Sequence, residues 1–246
     1  MTTSTTSMSC EDEHHGHGHG GHGDDHNHDG HNHIAPIATF SSQSLLSKVD
    51  SAKITGLNIS NPREDLKQLF KNETTKYELK PVIKSDCDAQ LIINIPFTNS
   101  SVKLFSLIIR SNGDLYCPRT IKLYKNDTTI DFDNVNDKKP TFQIEHPQVG
   151  VMYNEDETMP DTLDNENEFV EHYLPRHKFT GVYNLTIFIE DIYGDEDETH
   201  LHYLDLRGEY TELNKNPVIT IYESAPNPAD HQKITDTTLN LNDSIN

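Results

Sequence analysis

The side chains best suited to chemistry stand near the start of the chain. Between residues 14 and 33 the string HHGHGHGGHGDDHNHDGHNH sets nine histidines among glycine, aspartate and asparagine. Imidazoles bind zinc, copper and nickel, and His14, His15, His17, His19 and His22 could offer several ligands to one ion. A segment with nothing to bury would have to be ordered by the ion itself, and no cysteine or fixed spacing defines a closed site. The tract therefore reads as a disordered, solubilising tail whose metal binding is weak and unspecific, and which gains charge below about pH 6.5. A second pair, His200 and His202, lies at i, i+2 on one strand face. No third ligand is identifiable for it, so a polar strand face is expected there and no metal.

Nucleophiles are scarce. Cys10, Cys87 and Cys117 form no CxxC and have no convincing local base, so reduced, packed or partly exposed thiols are expected. GxSxG, HExxH, the P-loop and GxGxxG are all missing. Carboxylates are abundant but sit mostly in runs, where water keeps them ordinary. These features predict a non-enzymatic protein without a cofactor. Two polar segments remain as candidates for a partner surface: Arg207-Gly208-Glu209 and Asn227-Pro228-Ala229-Asp230-His231. In the first, Gly208 permits a bulge while Arg207 and Glu209 can pair with neighbours. In the second, Asn227 starts a turn and Asp230 can cap local backbone donors, which leaves His231 beside a C-terminal tail.

The charge balance narrows the partners. Forty acidic residues against 20 basic ones give a formal net charge of −20 over 246 residues. That argues against a phosphate backbone or an anionic membrane surface as the natural target; a basic protein patch would suit it better, and acidity that simply keeps the chain soluble explains it equally well. The N-terminus lacks the apolar core of a signal peptide, and no run approaches transmembrane length. A monomer in the cytosol, with access to the nucleus, is expected.

The elements that would position these residues occupy the middle of the chain. Residues 1–33 and 232–246 hold little to bury, leaving roughly 200 residues for one domain. SSQSLLSKVD and PREDLKQLFK, at 41–50 and 62–71, read as short helical pieces, with Leu66, Leu69 and Phe70 at i, i+3 and i+4. Residues 53–60 are a strand or an extended connection. Strand patterns follow at 89–95 (AQLIINI), 102–110 (VKLFSLIIR), 120–125 (TIKLYK), 141–144, 182–190 (VYNLTIFIE), 200–206 (HLHYLDL) and 218–223 (VITIYE). In 182–190, Leu185, Ile187 and Ile189 form the inward face, with Asn184, Thr186 and Phe188 outward. The acidic stretch 154–168 reads as a mobile loop inside the domain. Short strands with turn-length gaps and no alternating long helices predict an all-β sandwich or jelly roll.

Several blocks carry a resemblance: Ser85-Asp86-Cys87-Asp88-Ala89-Gln90 running on to Thr98; Ile121-Lys122-Leu123-Tyr124-Lys125-Asn126; Asp131-Phe132-Asp133; residues 179–189; Leu206-Arg207-Gly208-Glu209-Tyr210; and residues 222–231. In this order they resemble the PITH domain family, in particular its stand-alone members. The resemblance implies a galactose-binding-like β-sandwich (jelly roll) over residues 34–231, with short helical pieces and disordered tails. It also implies an adaptor that associates with the 26S proteasome regulatory particle, as the thioredoxin-like members do. Here the redox domain of those members is absent, so no redox activity is implied. A small-ligand or carbohydrate-binding module is the alternative on the same fold, weakened by the absence of tryptophan.

Overall fold

Alternation along 184–189 sets the centre of the molecule. Leu185, Ile187 and Ile189 are buried in one apolar core together with Leu91, Ile93 and Ile95 of one neighbouring strand and Ile121 and Leu123 of the other. The computed structural model describes residues 36–98, 100–153 and 159–212. Among these described residues nine strands run: β1 Thr55–Leu57, β2 Ile83–Lys84, β3 Leu91–Pro96, β4 Ser100–Ser111, β5 Thr120–Lys125, β6 Phe142–Glu145, β7 Val170–Tyr173, β8 Asn184–Ile189 and β9 His200–Glu212, while the expected strand at 218–223 lies outside them. They form a five-stranded sheet, β1-β3-β8-β5-β6, and a four-stranded sheet, β2-β9-β4-β7. Every pairing is antiparallel. The inner faces meet in the core through Leu104, Leu107, Ile109, Leu204 and Leu206, so the predicted β-sandwich is what forms. Each such side chain fully withdrawn from water contributes roughly 1.5–3 kcal/mol.

The two helical pieces form as short turns: Ser41–Gln43, Leu46–Lys48 and Ser51–Lys53 are 3₁₀, and α1 (Arg63–Leu66) runs into a 3₁₀ turn at Lys67–Leu69. Leu45, Leu66 and Leu69 enter the main core from them. The stretch 53–60 contributes β1, and β7 and β2 are strands the sequence pattern does not show.

Three expectations need correction. The outward face of β8 is not exposed: Asn184, Thr186 and Phe188 are buried. Residues 127–137 fold across that side of the sheet, and Ile130 and Val135 pack with Ile92, Tyr124 and Phe188 in a second, smaller core. The described part of the acidic stretch is held rather than loose. Leu79 N donates to Asp161 O at 2.8 Å and Leu163 N to Tyr77 O at 3.0 Å, while the Glu168 carboxylate is buried against Arg110. Finally, His200 and His202 do not lie on a wet strand face; both are buried. At that point β9 carries a bulge: Arg110 opposes Tyr203 and Ser111 opposes Leu201, leaving His202 as the extra residue. A second bulge leaves Phe105 unopposed between the Leu104–Gly208 and Ser106–Arg207 pairs. Gly208 is required there, since a Cβ would stand 2.2 Å from the Lys103 carbonyl oxygen.

Candidate functional site

Two blocks quoted above, Ser85–Gln90 and 131–133, are distant in sequence yet line one hollow of about 650 Å³ together with Leu57 and Asn58. Each wall is built by side chain–backbone bonds. Asn58 follows β1 in the left-handed region, φ 59°, where a short amide side chain is tolerated. Its amide nitrogen donates to Asp88 Oδ1 at 2.8 Å and to the Gln90 carbonyl at 2.6 Å, and its oxygen accepts from Cys87 N at 2.9 Å. Thr199 fixes the base of the same loop, donating from its backbone N to Ser85 Oγ at 2.9 Å and from its hydroxyl to Ala89 O at 2.6 Å. On the opposite wall, Asp131 Oδ1 accepts from Asn134 N at 3.0 Å, and Asn134 Oδ1 accepts from Asp131 N at 3.2 Å. The Tyr124 hydroxyl donates to Val135 O at 3.0 Å, and the Phe132 ring stands edge-on to Phe188 at 6.3 Å.

Asp86, Asp88, Asp131 and Asp133 therefore edge a concavity in which Leu57 and Phe132 are 41% and 36% exposed. Negative charge around apolar contact area suits a basic protein segment. The exposed Cys87 thiol is held above its ordinary pKa by its hydrogen bond to Asp86 and by that carboxylate's charge, the reverse of what a nucleophile needs. Among the described residues no group of three His, Cys, Asp or Glu side chains is placed to hold a metal ion.

Arg207 lies elsewhere, on the outer side of the four-stranded sheet. Its guanidinium stands 3.5 Å from Asp205 and 3.8 Å from Glu171, and donates to Thr39 Oγ1 at 3.1 Å. Ser44 donates to Asp205 at 2.6 Å and Ser106 to Glu171 at 2.5 Å, so Arg207 joins a network tying residues 39–44 to β4, β7 and β9. Glu209 is exposed and takes no part in it. Asn227, Asp230 and His231, like His14, His15, His17, His19 and His22, lie outside the described residues.

Sequence reasoning missed the buried polar groups. Arg110, fully buried, donates Nε to Glu168 Oε2 at 3.0 Å and Nη2 to the same oxygen at 2.5 Å, with further bonds to the Leu163 and Lys76 carbonyls. Lys71 Nζ donates to Glu78 O at 2.7 Å and His202 O at 2.9 Å, and burial lowers its pKa to about 8. His146 Nδ1 and His172 Nε2 share a hydrogen bond of 2.7 Å, and His146 Nε2 lies 3.2 Å from Ser111 Oγ. This has the order of a nucleophile, a base and an orienting group, but Ser111 and His146 have no solvent exposure and no substrate could reach them in this state. Cys117 is buried beside Ser111, with its pKa raised by burial to about 11. Arg110 ends the run VKLFSLIIR and Glu168 ends the acidic stretch, but nothing local pairs them.

A family model described as "PITH domain" matches residues 35–226. PITH domain-containing protein 1 of Danio rerio is 33% identical over 189 residues, covering 76% of this chain and 80% of that protein. The Homo sapiens protein of the same name is 32% identical over 191 residues, with 76% and 80% covered. A PITH domain-containing protein of Schizosaccharomyces pombe is 29% identical over 199 residues, covering 81% of this chain and 88% of the relative. Among solved structures, the CBM32-1 and CBM32-2 domains of Clostridium perfringens ZmpB align with a TM-score of 0.42 at 10% identity, covering 69% of this chain and 37% of that one. A family 32 carbohydrate-binding module of Streptococcus pneumoniae EndoD aligns with a TM-score of 0.40 at 10% identity, covering 64% and 97%. Likeness at that level carries no implication of a sugar ligand.

Proposed function

The chain belongs to the PITH domain family, and from that premise we propose that it is a non-enzymatic adaptor docking on the 26S proteasome regulatory particle. The observation that supports this reading best is the meeting of Ser85–Gln90 and 131–133 around one acidic hollow with exposed Leu57 and Phe132. Each wall is shaped by its own internal hydrogen bonds while Asp86 and Asp133 are exposed, the arrangement of a surface that waits for a partner. A net charge of −20 steers such a surface toward basic patches. The protein acts as a monomer in the cytosol and nucleus.

The test is affinity purification of the tagged full chain from cytosol, read by mass spectrometry, beside Asp86→Lys/Asp133→Lys and a truncation lacking 232–246. Regulatory-particle subunits should co-purify with the parent, survive replacement of Cys10, Cys87 and Cys117 by serine, and fall at least about tenfold with the charge reversal, as expected when like charges are set against a complementary face. Absence of every regulatory-particle subunit from the parent sample, with the protein folded, refutes the docking. Loss on truncation alone moves the contact from the hollow to the C-terminal tail.

A further inference from the structure

The small core on the outer face of the five-stranded sheet is unfinished on one side. Residues 127–137 lay Ile130 and Val135 over Ile92, Tyr124 and Phe188. Ile92 is 2% exposed, yet Leu57, its partner across the β1–β3 pair, is 41% exposed. Residues paired directly across two strands point to the same face, so the cover stops one strand short of the sheet edge. Phe132 stands on the border of that cover, its ring against Phe188 and 36% exposed. Leu57 and Phe132 thus carry the apolar surface of a buried core out into the hollow of about 650 Å³ that both of them line. Apolar residues exposed singly are ordinary; two that continue one core into a concavity mark a contact surface.

The charges of the hollow are one-sided. Asp86, Asp88, Asp131 and Asp133 line it, no lysine or arginine does, and none of the four forms an ion pair among the described residues. Asp88 spends Oδ1 on the Asn58 amide and the Gln90 N–H, and Asp131 spends Oδ1 on the N–H groups of Asp133 and Asn134. Their other oxygens, and the Asp133 carboxylate, accept from none of the described residues. On the Asp86 wall the Cys87 thiol is held above its ordinary pKa by the hydrogen bond to Asp86 and by the charges of Asp86 and Asp88, so the field there is negative. The carboxylates do not converge as the ligands of one metal ion would, since among the described residues no three are placed to hold one. What fits is positive charge spread over two walls, with something apolar between.

We propose that the hollow receives a short partner segment in which an apolar side chain lies between two basic ones, the apolar side chain seated against Leu57 and Phe132 and the cations on Asp86 or Asp88 of one wall and Asp131 or Asp133 of the other. Charge alone does not hold such a segment, because ion pairs to exposed carboxylates are each weak in water. Covering the open side of the small core supplies the rest, by withdrawing Leu57 and Phe132 from water. The proposal rests on the reading of this hollow as the docking surface and names the sequence pattern it takes, but its test needs no proteasome.

The experiment titrates the full-length protein with the acetylated, amidated peptide GKLKG, with GKSKG, GELEG and calcium chloride as comparators, followed by NMR shifts of the Leu57, Asn58, Asp88, Phe132 and Asp133 amides. The expected result is saturable shifts centred on these residues, several-fold tighter for GKLKG than for GKSKG, absent for GELEG, and weakened as salt rises from about 0.05 to about 0.5 M. Leu57→Thr suits an exposed strand position and should weaken GKLKG at least about threefold while leaving GKSKG unchanged. Asp86→Asn with Asp133→Asn should weaken both peptides at least about threefold. No saturable shift with GKLKG, equal affinity for GKLKG and GKSKG, or an unchanged affinity in either variant overturns the proposal, as does calcium moving the same amides at lower concentration than the peptide. Peptide binding without any regulatory-particle subunit in the pull-down leaves this proposal standing and refutes the proteasome reading; capture of the particle without peptide shifts does the reverse.

Discussion

Mild acid should destabilise this domain well before its carboxylates protonate, because it holds histidines that are neutral by burial. Withdrawal from water lowers His146 to about 3, His172 to about 4 and His202 to about 3. Their surroundings reinforce this: His146 and His172 face each other beside Ser111 and Cys117, and His202 has the Lys71 and Arg110 charges and Tyr153 as neighbours. In the unfolded chain each titrates near about 6.5. The sign follows directly. Above that value neither state is protonated and the folded state has its full stability; below it the unfolded chain takes up protons that the folded one refuses, so stability falls with pH until the folded values near 3–4 are reached. Between about pH 7 and about pH 5.5 each histidine costs about 1.2 kcal/mol, and the three together just under about 4 kcal/mol, a large share of a typical domain's stability. Urea unfolding followed by circular dichroism at the two pH values measures this difference. His172→Asn should flatten the dependence by about one third, and removal of residues 1–33 should leave it unchanged. A difference under about 1 kcal/mol would refute the reasoning, since histidines titrating normally in the fold give no such slope.

Three further outcomes follow from the same packing. Arg110→Met alone should destabilise by about 3–5 kcal/mol in urea unfolding by stranding the Glu168 carboxylate, whereas Arg110→Met with Glu168→Leu should recover most of that loss. Gly208→Ala forces a Cβ against the Lys103 carbonyl and should cost about 1–3 kcal/mol, lowering the thermal midpoint and loosening the β4–β9 bulge in hydrogen exchange. Timed alkylation with iodoacetamide should label Cys87 in the native protein, more slowly than a free thiol because Asp86 disfavours the thiolate, and should reach buried Cys117 only on unfolding.

What could be read from the residues divides along a physical line. The strands at 120–125 and 182–190 were legible because their core-facing residues recur with a period of two, and the strand at 89–95 because it is a dense apolar run stopped by Pro96. The bulge glycine in Arg207-Gly208-Glu209 was legible for a related reason, since a missing side chain marks a close backbone approach. Phe188, Asn184 and Thr186 were assigned outward correctly by parity, yet they are buried, because residues 127–137 cover that face and no local pattern announces a cover supplied from elsewhere. The same holds for Glu168 and Arg110, 58 positions apart, and for the bulge that places His202 in the interior. At the acidic hollow, the blocks 85–90 and 131–133 were visible separately; their meeting depends on the sheet register that sets β1 beside β3 and on the strap laid over Phe188.

That strap gives the hollow two walls of unequal stiffness. The Ser85–Gln90 wall is bonded to Asn58 and Thr199 and runs straight into β3, so moving it means breaking the larger sheet. The 127–137 wall rests on a core of five side chains, and small cores open at a fraction of the global cost. A partner pressing on Asp133 and Phe132 thus meets a compliant jaw closing on a fixed one, a clamp that can adjust its gap while keeping its charge pattern in place.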